Sequence, residues 1–283
     1  MSGKFSWLTN NKLIQKLTGG GDKGYRIGTC GYGFYEPPDD WENYSTPIQA
    51  YSSDFGVLEM NRTFSKLPSI ETAEKWFYNA SKDFEFTMRA WQAITHPVDS
   101  PTWRGFKNEL SIEEKKSYGY LRPNEEVFEA WEKTKEIADT LEAKIIVIQT
   151  PNDFDCSDKN KRNMREFLSE IDSSNIEIAW EPRGDWNDNL DEVKEICSEF
   201  NLIHVVDLMR NKPVKDHSIF YTRLHGLNEY PYDYDYNYSE DELLKLAKKI
   251  KKLIKNHDQV YCLFNNEEMY ENGKELREIT RKL

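Results

Sequence analysis

The stretch VLEMNRTF, residues 57–64, alternates in a way that decides the architecture. Successive side chains of a strand point to opposite faces. Leu58 and Met60 therefore share one face, and Glu59, Asn61 and Thr63 the other. An apolar face suits a layer of covering helices, so the polar face should turn inward, into a barrel. The same parity recurs along the chain. In FEFTMRA, Arg89 follows Glu85 and Thr87; in IEIAWEPRGDW, Glu181 and Arg183 are two apart. In LIHVVDL, Asp207 follows Ile203 and Val205; in IFYTRLHG, Tyr221, Arg223 and His225 share a face. Gln149 closes IIVIQ, and Asn265 closes VYCLFN.

Working outward, eight strand-like runs are expected: Tyr25–Cys30, Val57–Phe64, Phe84–Ala90, Lys144–Gln149, Ile176–Glu181, Leu202–Asp207, Ile219–His225 and Gln259–Asn265. Segments with helical i, i+3, i+4, i+7 patterning separate them, such as Met164–Phe167–Leu168–Ile171 and Leu243–Leu246–Ala247–Ile250–Leu253. Strands alternating with helices imply parallel pairing. The expectation is an α/β fold, a single (β/α)8 TIM-type barrel over residues 25–283, preceded by an N-terminal extension over residues 1–24. Ser69 and Asp158 suit helix N-caps, and Ser239 with Glu242 has capping-box spacing. Two segments interrupt the rhythm: His96 to Asn124, long and polar, and YPYDYDYNY, residues 230–238. Loops of this length in a barrel are often functional.

A chain of 283 residues is ordinary for one such barrel, which takes roughly 250. The net charge is 38 − 50 = −12, which disfavours broad binding to phosphate backbones. The lysines of KKIKKLIK, residues 248–255, read as the solvated face of an amphipathic helix, so nucleic acid is an unfavoured partner. No apolar run approaches the roughly 18 residues needed to span a bilayer, and the first residues lack a secretory signal. The expectation is a cytoplasmic protein with no membrane partner and an undetermined oligomeric state. Cys30, Cys156, Cys197 and Cys262 are scattered, without a C-x-x-C pair.

Barrel active sites lie at the carboxyl ends of the strands. Candidates for catalysis are therefore His225, Glu181, Asp207 and Glu59. Candidates for ligand binding are Arg89, Arg183, Arg223, Asn61, Gln149, Tyr221, Asn265, Asn266 and His96. Arginine forks suit carboxylate or phosphate, so an anion-binding pocket for a small molecule is expected. His225 is the lead acid–base group, paired with Glu181 and oriented through Asp207, because imidazole titrates near neutral pH.

These same residues carry a family resemblance. IGTCGY (27–32) resembles IGTSGW, and LEMNRTFSKLPS (58–69) resembles VEINSTFYRLPS. IVIQTP, WEPRGDW, YTRLHG and LFNN are similar, in order, to LFQLPP, EFRHxSW, YvRlHG and FxNN, and ITH at Ile94–His96 also matches. The chain thus resembles the DUF72 (YecE-like) family, which implies a TIM-type barrel and leaves the reaction open. Cys30, Tyr32, Pro182 and Gly184 depart from the family pattern, and its third-strand lysine is replaced by Met88 or Arg89.

Three alternatives stay open at this point. Glu59, Glu181, Asp207 and His225 could hold Mg²⁺ or Mn²⁺, as in some isomerase- or endonuclease-like barrels, although no metal or other cofactor is required by the motifs. A nucleic-acid module would need a basic groove leading to the mouth. A non-catalytic scaffold would show an exposed apolar patch and every arginine of the pocket paired to a carboxylate.

Overall fold

In the computed structural model of the chain, residues 24–37, 41–103 and 110–283 are described. Eight parallel strands form the sheet: β1 (Tyr25–Cys30), β2 (Val57–Met60), β3 (Glu85–Arg89), β4 (Ile145–Gln149), β5 (Glu177–Glu181), β6 (Ile203–His204), β7 (Ile219–Leu224) and β8 (Gln259–Phe264). Their order is β6-β5-β4-β3-β2-β1-β8-β7. A single parallel bridge, Val206 to Thr222, brings β6 and β7 together and closes the ring.

The helices are α1 (Pro47–Asp54), α2 (Arg62–Ser65), α3 (Ile70–Asn79), α4 (Gln92–Thr95), α5 (Ile112–Ser117), α6 (Glu125–Thr140), α7 (Asp158–Glu170), α8 (Leu190–Glu199), α9 (Glu240–Leu253) and α10 (Met269–Lys282). The expected TIM-type barrel is what the chain forms, with one gap in the repeat: the β6–β7 connection carries no helix. Capping follows the sequence closely. Ser69 accepts from Thr72 N–H at the start of α3, and Ser239 with Glu242 makes the capping box of α9. At α7 the cap is Ser157, one residue before the expected Asp158, which becomes the first helical residue. Each such cap contributes about 1 kcal/mol.

Parity is borne out in the packing. Leu58 and Met60 lie in the cluster between sheet and helices, whereas Val57, Val147, Ala179, Tyr221 and Leu263 fill the lumen. Strand β2, however, ends at Met60 rather than Phe64, and Arg62–Ser65 turns into α2. The Thr63 hydroxyl, which strand parity would turn inward, instead donates to the Met60 and Arg89 carbonyls. The expected extension over residues 1–24 lies outside the described residues apart from Gly24. Among the described residues no helix is long and apolar enough to cross a membrane.

Candidate functional site

The strand ends converge as parity requires. Glu59 on β2, Glu181 on β5 and Arg223 on β7 meet in the upper lumen, all buried. Arg223 Nη2 lies 3.0 Å from Glu59 Oε1, and Nη1 donates to Glu181 Oε2 and to Gln149 Oε1, the latter at 3.0 Å. Its Nε donates to Cys30 Sγ at 3.4 Å. Glu181 also takes both forks of Arg183, at 3.1 Å from Nε and 2.7 Å from Nη2. Below them the Tyr221 hydroxyl donates to Glu59 Oε2 at 2.9 Å and accepts from the Thr87 hydroxyl at 2.8 Å. Tyr221 is thereby a stacking element of the lumen, with its hydroxyl already committed. Burial alone would raise the Glu181 pKa, but Arg223 and Arg183 win and hold the carboxyl well below its usual range. Burial pushes the Cys30 thiol far up, so it stays protonated.

Above this knot opens a cleft of about 750 Å³. Its lining includes Asn61, Arg89, His96, Gln149, Arg223, Asn265 and Asn266 from the expected set. It also includes Phe34, Phe64, Thr102, Tyr234, Met269 and Tyr270, which the sequence reading did not assign to the site. Phe64 was readable as a strand residue of apolar parity; the turn into α2 is what brings it to the mouth.

Arg89 is set apart from the other two arginines. Among the described residues it makes no ion pair, and Nη1 reaches only Asn61 Oδ1, at a long 3.5 Å. Its Nε has no acceptor, and its guanidinium lies 3.4 Å over the Phe64 ring. Burial and the neighbouring Arg223 push its pKa down to about 9, so it remains a cation at neutral pH. The edge of the same Phe64 ring meets His96 at 4.8 Å between centroids. His96 Nδ1 is 2.7 Å from the Thr95 hydroxyl. Burial first, then Arg89 and Arg183, lowers the His96 pKa to about 3, which leaves it neutral. Its backbone is held where Gly119 (φ +84°) passes; a Cβ there would stand 2.5 Å from the His96 carbonyl carbon. The end of the long 96–124 segment is thus fastened under the mouth, with Gly119, Tyr120 and Leu121 N–H bonded to Ala93, Thr95 and Ile94 carbonyls.

His225 and Arg183 do not line the cleft. The tyrosine segment roofs them: Tyr232 lies 3.7 Å under the Arg183 guanidinium, and Tyr232 and Tyr234 pack on His225 at 5.8 and 5.6 Å. Gly226 (φ +102°) permits this cover, since a Cβ would meet Tyr236 Cβ at 2.4 Å. His225 Nε2 lies 3.9 Å from Glu181 Oε1 and has no hydrogen-bond partner among the described residues. Burial, with the surrounding arginines, lowers its pKa to about 3 against the pull of Glu181. The sequence reading gives Asp207 the second ring proton of His225. In the structure its carboxylate instead accepts the backbone N–H groups of His225, at 3.1 Å, and Met209, at 2.9 Å. The chain turns after Val206, and those N–H groups need an acceptor.

Among the described residues no three of His, Cys, Asp and Glu gather as a metal-holding group. Glu59 and Glu181 face Arg223, and Asp207 faces backbone N–H groups and Arg210, 4.0 Å away. Asn266 donates through Nδ2 to the Tyr236 carbonyl (2.7 Å) and Asn272 Oδ1 (2.8 Å), which leaves its buried Oδ1 without a partner among the described residues.

The family described as "Protein of unknown function DUF72" matches residues 26–283. The chain belongs to the DUF72 family. A DUF72 family protein of Thermotoga maritima superposes with a TM-score of 0.66 at 21% identity, covering 91% of this chain and 99% of the other. One from Enterococcus faecalis gives 0.64 at 16% identity, covering 92% and 98%. A D-tagatose 3-epimerase-like protein gives 0.50 at 15% identity, covering 81% and 90%, so this DUF72 barrel shares its fold with epimerase-like barrels. Comparison with curated proteins gives no match.

Proposed function

We propose that this DUF72 protein is an enzyme that binds a small anionic, polyhydroxylated substrate at the carboxyl mouth of its barrel and acts on it by proton transfer. The observation that carries this reading is Arg89. It is a cation at the cleft wall with no carboxylate partner among the described residues, beside charges that are already paired. A scaffold would have every pocket arginine paired; among the described residues Arg183 and Arg223 are paired, and Arg89 is not. An arginine fork matches a phosphate or carboxylate. Asn61, Gln149, Asn265 and Asn266 offer amide groups to ligand hydroxyls.

Proton transfer falls to His96 at the cleft wall; His225 with Glu181 lies behind Tyr234 and serves only a ligand that displaces that ring. At neutral pH both imidazoles are uncharged, and Glu181 is a carboxylate. An anion seated on Arg89 cancels one of the charges that depress His96 and draws its pKa upward, toward the range where general catalysis is effective. The four cysteines are unbridged, which suits the cytoplasmic setting read from the sequence.

The test is a panel of sugar phosphates and sugar acids against the corresponding neutral sugars, read by thermal shift and by mass spectrometry for turnover. The anionic members should raise the melting temperature and the neutral ones should not. The His96 ring resonances should titrate at a higher pH in the complex than in the free protein. A flat response to every anion would overturn the reading.

A further inference from the structure

We infer that the cleft holds a second subsite, for an aromatic ring carried by the same ligand, with Phe34 as its stacking face. This rests on the reading of Arg89 as the anion anchor and adds the other end of the molecule.

Phe34 follows β1 in the loop that leads to α1, and its side chain is 91% exposed. Single exposed apolar side chains are normal on a surface. Phe34 differs because its ring lines the cleft, together with Met269, Tyr270 and Tyr234. Its backbone is hydrogen-bonded, while among the described residues its ring packs on no other ring. The Phe34 N–H donates to the Tyr270 hydroxyl at 3.4 Å, and Tyr270 packs edge-on against the buried Tyr35, with centroids 5.4 Å apart. An exposed ring at the cleft wall offers its face for stacking, and the bonded backbone beneath it confines the freedom lost on binding to the side-chain torsions.

The spacing defines the ligand. Phe34 leaves β1, Met269 and Tyr270 follow the adjacent β8, and Arg89 ends β3, two strands from β1. Neighbouring strands lie about 4.8 Å apart, so the ends of β1 and β3 stand on the order of 10 Å apart, with Phe34, four residues past Cys30, and Arg89 both lining the cleft between them. That gap takes one sugar-sized spacer, whose hydroxyls would meet Asn61 and Asn266. A cleft of about 750 Å³ is in the range for drug-sized ligands and roomy for a bare hexose phosphate. The class is therefore an anionic group joined through one polyhydroxylated unit to a flat aromatic or heteroaromatic ring.

The experiment measures affinity by calorimetry for two matched pairs: methyl and 4-nitrophenyl glucoside 6-phosphate, and methyl and 4-nitrophenyl glucuronide. Wild type and Phe34→Ala are compared. Phe34 is exposed, so the variant should fold as wild type does, which its denaturation midpoint checks. Wild type should bind the aryl member of a pair about 5- to 100-fold more tightly than the methyl member. Phe34→Ala should bring the aryl affinity down to the methyl value and leave the methyl affinity unchanged. Equal binding of aryl and methyl ligands, or an aryl preference that survives Phe34→Ala, overturns the subsite while the anion reading stands. If none of the four binds wild type, the anion reading falls and the subsite falls with it.

Discussion

Three arginines stand at the ends of alternate strands of one barrel, β3, β5 and β7, and live in different electrostatic conditions. Arg223 and Arg183 sit in the knot with Glu59 and Glu181, where every guanidinium faces a carboxylate. Among the described residues Arg89, at the cleft, has no carboxylate, only a 3.5 Å contact to an amide and the face of the Phe64 ring. The difference teaches that a charged residue at the barrel mouth acquires its role from its neighbours across the strands. A paired, buried charge organises the lumen; a partnerless one is available for an anion that comes from outside.

The largest effect should come from cutting the knot. Arg223→Met leaves Glu59 and Glu181 buried without their shared cation, and removing one partner of a buried pair costs about 3–5 kcal/mol. Urea denaturation should show a loss of that size, or a chain that fails to fold. Arg89→Met should do the opposite at the level of stability, changing it by no more than about 1 kcal/mol, because no protein carboxylate loses a partner. Equal destabilisation by the two variants would erase the distinction between knot and cleft.

The histidines give the next effect. In the folded protein His96 and His225 have pKa values near 3 and His204 near 4, all pushed down first by burial, against about 6.5 in the unfolded chain. Below about pH 6.5 the unfolded chain then binds more protons than the folded one, so stability falls as pH falls. Each buried imidazole contributes a slope of up to about 1.4 kcal/mol per pH unit until its folded pKa is reached. Glu181, also depressed, adds to the loss only below its usual range near 4.5. Stability should thus decline between pH 6.5 and 5, and His225→Asn should flatten the decline by about one imidazole's share. An unchanged slope would show that His225 is open to solvent.

Much of this contrast was legible beforehand, and its limits are physical. Parity alone placed Glu59, Arg89, Glu181 and Arg223 on the inner face, because a period of two leaves no freedom within a strand. It could not say which arginine lacks a partner, since partners are set by register between strands distant in sequence: Arg223 meets Glu59 across 164 positions (223 − 59). Nor did it mark the end of β2, because Asn61, Arg62 and Thr63 contain no glycine or proline to break the strand. The Thr63 hydroxyl, bonded to two carbonyls, supports a turn there that no spacing rule announces. Phe34 was visible only as one aromatic in GYGFY, and its place on the cleft depends on the anchor at Tyr270.

The smallest effect concerns the tyrosine roof. Tyr232→Ala removes the face under Arg183, a contact worth about 0.5–2 kcal/mol. It also lets water reach His225, so the His225 pKa should move up toward 6.5 in an NMR titration. A pKa that stays near 3 would mean that the arginines alone depress it.

Calorimetry of methyl glucoside 6-phosphate on wild type, Arg89→Lys and Arg89→Met tests Arg89 as the anchor for an anion most directly. The predicted result is saturable binding to wild type, a drop of about tenfold or more in Arg89→Met with folding intact, and an intermediate value for Arg89→Lys, which keeps the charge but loses the fork. Binding of equal strength to wild type and Arg89→Met would contradict it.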